Sequence, residues 1–96
     1  MTELPEVFRT TVPDTALAPR VTQGATVVLT RGLEPKAGDG VLVQDGDGHH
    51  YLRLYRERRV GHWEAHALND SYRPLDSQID RLRVVAVITA TEGRWA

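Results

Sequence analysis

Short alternating runs of apolar and polar residues, separated by glycine and proline, occupy the chain from Ala25 onward and leave little room for helices. The segment from Ala25 to Arg31 is rich in β-branched residues and bounded by Gly24 and Gly32, which is a strand signature. Gly40 to Gln44 is a second run. It ends in Asp45, Gly46, Asp47 and Gly48, whose two Asp-Gly steps suit the positive φ of a tight hairpin turn. His50 to Tyr55 then reads as the return strand, with Leu52 and Leu54 on one face and Tyr51, Arg53 and Tyr55 on the other. Arg56 to Gly61 reads as a charged connection, and His62 to Leu68 as a further strand on which Trp63, Ala65 and Ala67 share a face. Arg83 to Ala90 is apolar almost without alternation, which predicts burial on both faces, in the core or against another subunit. Helical candidates are confined to a turn or two at Asp14 to Ala18 and at Asp76 to Leu82. The expected fold is therefore all-β and compact, with short strands forming a small barrel or clip.

A chain of 96 residues supports one hydrophobic core better than two. Residues 1–11 read as an extended lead-in, with a strand around Glu6 to Thr11, and residues 12–96 as the domain proper. Twelve Lys and Arg against 13 Asp and Glu leave a formal net charge of -1, which excludes a generally basic nucleic-acid binder. Without cysteine, disulfides, thiolate metal sites and cysteine nucleophiles are all excluded. No apolar run approaches the roughly 18 residues of a membrane span, and no basic-then-apolar leader opens the chain. A cytoplasmic location is the expectation.

Few side chains suggest chemistry. His62 and His66 flank Glu64, but residues four apart on a strand are about 13 Å from each other. That is too far to share a metal ligated at about 2 Å. His49 and His50 beside Asp45 and Asp47 form a polar hairpin tip, without the length or terminal Glu of a calcium loop. Arg53, Arg56, Arg58 and Arg59 interleave with Tyr51, Tyr55 and Glu57 as a solvated face of mixed sign rather than a phosphate or base-stacking site. Neither a glycine-rich phosphate loop nor a G-x-S-x-G elbow is present. No cofactor or metal is expected.

Five segments in order nevertheless resemble one family. Thr15, Ala16, Leu17, Ala18 and Pro19, then Val21 and Gly24, follow the spacing of an Asp-Ser-Met-x-Pro motif with its downstream apolar residue and Gly-Asp. Pro35, Gly38 and Asp39 precede the alternating Val41, Leu42 and Val43 as in a Pro-x-x-Gly-Asp block. Leu52, Arg53, Leu54 and Tyr55 match an apolar-Lys-apolar block, and Leu68, Asn69, Tyr72 and Pro74 match in part a Leu-x-x-Asn-x-x-Tyr-x-Pro block. Val84 to Ile88 closes the pattern. Taken together these segments, covering roughly residues 12 to 90, resemble the C-terminal domain of LexA and the phage CI-type repressors. These are self-cleaving serine peptidases to which the UmuD mutagenesis proteins also belong.

The resemblance implies a serine nucleophile and a neutral lysine base, and both positions depart from it. Ala16 stands at the serine position and has no nucleophilic atom. Arg53 stands at the lysine position, and a guanidinium stays protonated in proteins. Thr15 offers a hydroxyl one residue away, but alternation points it away from Arg53. The implied protein is an inactive homologue with a relict cleft at Thr15, Ala16, Leu17 and Arg53. Arg53 is expected to pair with an acid such as Glu64 or Asp39. The implied role is that of a dimerisation or regulatory domain of a prophage repressor-like transcriptional regulator. It would act as a homodimer joined through the last strand at Arg83, Val85 and Val87, and reach DNA only through a separate N-terminal domain. The alternative is a module that binds a peptide in the relict cleft without cutting it. On that alternative, Leu4, Val7 and Phe8 of the lead-in are candidates to lie in the groove as a pseudo-substrate.

Overall fold

Burial on one face writes an alternating pattern into a strand, and the alternating runs do become strands. The protein is described here by a computed structural model covering residues 6–92. Its elements are β1 (Val7–Thr11), β2 (Thr26–Thr30), β3 (Gly40–Gln44), β4 (His50–Arg59), β5 (His62–His66), β6 (Leu75–Asp76) and β7 (Arg83–Glu92). All pair antiparallel in one sheet of order β1-β2-β7-β3-β4-β5-β6. The all-β expectation holds. The barrel does not form, because β1 and β6 stand at opposite ends of the order and leave the sheet open.

Both faces of this one sheet carry a core. Val41 and Val43 of β3 point to one face, where they meet Tyr55, Ala65, Leu75, Leu82 and Val87. Leu42 points to the other, which holds Val27, Leu29, Leu52, Leu54 and Ala86 and is closed by Val12, Leu17 and Val21 from the β1–β2 connection. The sheet covers both cores without a helix by bending along β7. That strand is bulged twice: Val85 is skipped in its pairing with β3, and Thr89 in its pairing with β2. Each bulge bends its strand and increases the local twist.

Several expectations change. The charged segment from Arg56 is a continuation of β4 to Arg59, so the connection shrinks to a turn at Val60 and Gly61. The strand expected to reach Leu68 ends at His66. Asp14 to Ala18 and Asp76 to Leu82 are turns, and no helix occurs among the described residues. In the second turn, Asp76 Oδ1 accepts from the N–H groups of Gln78 and Ile79. Such side-chain bonds to the backbone favour a local turn over a helix. The lead-in contributes β1, paired along β2 rather than lying at Ala16. Leu4 falls outside the described residues.

β7 places the three residues expected at a dimer interface in different surroundings. It lies inside the sheet order, but it pairs with β3 through Arg83 to Val87 and with β2 only through Val87 to Glu92, so the β2-side edge of Arg83 to Ala86 meets no strand among the described residues. Val87 is buried in this chain's own core and Val85 is half-buried. Arg83 is exposed but donates to Gln44 Oε1 at 2.9 Å. Intramolecular burial accounts for the apolar character of this strand at Ala86 and Val87.

Two leucines test the placement of the core. Leu29 is wholly buried, whereas Leu33 is 47% exposed in the following turn. Leu29→Ala is expected to cost about 2–5 kcal/mol in denaturant unfolding, and Leu33→Ala no more than about 0.5 kcal/mol. Comparable losses at both positions would contradict this packing.

Candidate functional site

β4 alternates, so Arg53 emerges on the face opposite Leu52 and Leu54 and is carried into the protein, where it is 4% exposed. A buried guanidinium needs countercharge and hydrogen-bond acceptors. Its Nη1 donates to Asp14 Oδ2 at 3.2 Å and to the Leu52 carbonyl at 2.9 Å. Its charged plane lies against two rings, 5.3 Å from the centroid of Tyr51 and 4.9 Å from that of Tyr72. Arg53 Nε has no hydrogen-bond partner among the described residues.

Asp14 also organises the loop that carries it. Its Oδ1 accepts from the Ala16 N–H at 3.1 Å, two residues on, which is the Asx-turn geometry that aspartate favours. The connection between β5 and β6 then folds over this loop. The Leu68 N–H donates to the Ala16 carbonyl at 2.7 Å, and Asn69 Nδ2 donates to the Thr15 carbonyl at 2.7 Å. The Tyr72 hydroxyl lies 3.0 Å from Thr15 Oγ1. Ala16 beneath these contacts has no exposed surface.

Of the four residues expected to line a relict cleft, Thr15, Ala16 and Arg53 do come together, around Asp14 and Tyr72. The fourth, Leu17, turns into the core on the opposite face. The space between them is filled by the folded-over loop and by Arg53 itself. The Thr15 hydroxyl is taken by Tyr72 and makes no hydrogen bond to Arg53. Among the described residues the acid paired with Arg53 is Asp14, not Glu64 or Asp39. Glu64 instead binds His66, and Asp39 accepts from the Lys36 N–H. Asp14 and Tyr72 are the residues that sequence reasoning missed. An aspartate two residues before a buried position was the available signal for the first.

The histidines go to separate carboxylates. His62 Nε2 is 2.7 Å from Asp76 Oδ2, and His66 Nε2 is 2.8 Å from Glu64 Oε1. Backbone N–H donation from Ile79, and next the bond from His62, pull the Asp76 carboxyl down from 3.8 to about 2. At the β3–β4 tip, ligand atoms of Asp45, Asp47 and His49 lie within 4.8 Å of one another. Asp45 there already accepts from the N–H groups of Asp47 and His49 and from the Tyr51 hydroxyl, and Arg81 lies 3.5 Å from Asp47. These bonds hold a turn. Arg56, Arg58 and Arg59 remain on the exposed end of the β4–β5 hairpin, away from Arg53.

Comparison with protein-family models and with curated proteins found no match to this chain.

Two measurements follow from this geometry. Tyr72→Phe removes the hydroxyl that meets Thr15 and keeps the ring on Arg53, with an expected cost of about 0.5–1.5 kcal/mol. Tyr72→Ala strips the ring as well and is expected to cost about 1 kcal/mol more. Equal losses would show that the ring does nothing for Arg53. The folded Asp76 pKa lies below the unfolded value, so its contribution to stability is present above about pH 4 and is lost as pH falls toward about 2. Asp76→Asn should flatten the acid limb of a stability-versus-pH curve over that window, and an unchanged limb would refute the assignment.

Proposed function

We propose that the chain is a non-cleaving regulatory and dimerisation domain of the LexA and phage CI repressor type, in which the position of the catalytic pair has become a structural joint. The observation that carries this reading is the state of Ala16 and Arg53. The first is wholly buried, and the second is bound to Asp14 and covered by two tyrosines. The resemblance rests on blocks far apart in sequence, and three of them meet at this joint: residues 15–19, 52–55 and 68–74. With no nucleophile at 16 and no base at 53, attack on a peptide carbonyl has neither of the groups it needs.

A domain of this kind serves a regulator by pairing. Two linked DNA-reading units match the two halves of a palindromic site, and the gain is set by effective concentration rather than by new contacts to DNA. DNA contact would come from a separate N-terminal domain, in a cytoplasmic setting. Of the last-strand residues expected to pair, Val87 is taken up by this chain's own core, whereas Arg83 and Val85 lie beside a β2-side edge that meets no strand among the described residues and would serve the pairing surface. The geometry favours pairing over peptide capture at the relict position, because neither Ala16 nor Arg53 is accessible to a peptide.

Light scattering over a wide concentration series tests the role. A dimeric mass persisting to low micromolar concentration is expected, and a monomer throughout would contradict it. In parallel the chain should stay intact through prolonged incubation at alkaline pH, and fragments from it would contradict the loss of catalysis.

A further inference from the structure

The long strand β7 does not have the same neighbours throughout. It pairs with β3 through Arg83 to Val87 and with β2 through Val87 to Glu92. From Ile88 onward, its β3-side edge meets no strand among the described residues. β3 cannot follow it there because the chain before Gly40 is held to β4 instead. Gly38 N–H donates to the Tyr55 carbonyl at 2.9 Å, and Tyr55 N–H donates to the Asp39 carbonyl at 2.8 Å. The two strands therefore fork at Gly40 and Ile88. A Cβ on Gly40 would come within 2.7 Å of Ile88 Cδ1, so glycine allows the close approach at the base of the fork.

A groove of about 220 Å³ opens in the fork, between residues 38–40 on one side and 88–91 on the other. Its floor is made by Leu17, Val21, Leu54 and Leu68, on the face of β4 opposite Arg53. Arg20 lines it too. That side chain is exposed and has no ion pair or hydrogen bond among the described residues.

We infer that this fork binds an extended peptide that adds to β7 as a strand, placing an aliphatic side chain on the apolar floor and a carboxylate beside Arg20. The open edge presents main-chain donors and acceptors at strand spacing, and a polypeptide backbone is the ligand that answers both. The groove is smaller than the roughly 300–1,000 Å³ of a drug-sized site, which suits one or two side chains. A second copy fits less well. Antiparallel self-pairing about Ala90 would bring Thr89, Ala90 and Thr91 to the fork, with no aliphatic side chain for the floor. The nearby Glu92 is already bound to Arg9.

The test titrates nitrogen-15-labelled full chain with a capped threonine-valine-leucine-valine-aspartate peptide and with its lysine-ended counterpart. In the free protein, the amides of Ile88 to Thr91 not bound by β2 should exchange rapidly with solvent. The aspartate peptide is expected to protect them and to shift the resonances of Gly38 to Gly40. Arg20→Glu should weaken it by about three- to fivefold and reverse the preference between the two peptides. Absence of shifts at millimolar peptide would overturn the inference. So would amides already protected in the free chain, which dilution would trace to a second copy if the protection fades. Binding indifferent to the charge swap would overturn the role of Arg20.

Discussion

Placing a guanidinium inside a β-sheet costs several kcal/mol unless its charge, its hydrogens and its flat faces are met. At Arg53 distant parts of the chain meet the charge, the Nη1 hydrogens and the faces, while Nε has no partner among the described residues. Asp14 supplies the charge from the β1–β2 connection. Leu52 supplies a carbonyl from β4 itself, and Tyr51 and Tyr72 cover the plane from β4 and from the β5–β6 connection. Two irregular loops are thereby fixed to the middle of the sheet and to each other, through contacts at Thr15, Ala16, Leu68 and Asn69. A lysine at 53 would present a single ammonium with no plane for the rings to cover and no fork of donors.

The same sheet depends on β7 for its shape. One strand with two bulges separates two cores, and its extra length beyond β3 produces the fork at Gly40. Arg53 and the fork lie on opposite faces of β4, because Arg53 and Leu54 are consecutive residues of an alternating strand. The burial of Arg53 on one face therefore says nothing about binding on the other, and the proposed peptide groove does not depend on the contacts of Arg53.

Much of the fold was legible where burial is one-sided. Val41, Leu42 and Val43, and then Leu52, Arg53 and Leu54, announce both strands and their faces. The outer half of β4 was not legible, because Arg56, Glu57, Arg58 and Arg59 continue the ladder beyond the core with both faces in solvent. β6 is two residues long and leaves no periodicity to read. β7 was recognised as buried, but a continuous apolar run does not tell burial in its own chain from burial against another. At the site, Thr15, Ala16 and Arg53 could be brought together on paper by their blocks. The partner acid could not, since Asp14 lies 39 residues from Arg53 and nothing local distinguishes it from Asp39 or Glu64.

Arg53 and Asp14 form a joint on which stability depends, and a double-mutant cycle measures that dependence most directly. Asp14→Asn, Arg53→Met and the combined variant are compared with the parent chain in denaturant unfolding. A coupling of about 1–3 kcal/mol between the two positions is expected for residues in contact within one network. Effects that add to within about 0.5 kcal/mol would mean that the two side chains do not act as a unit.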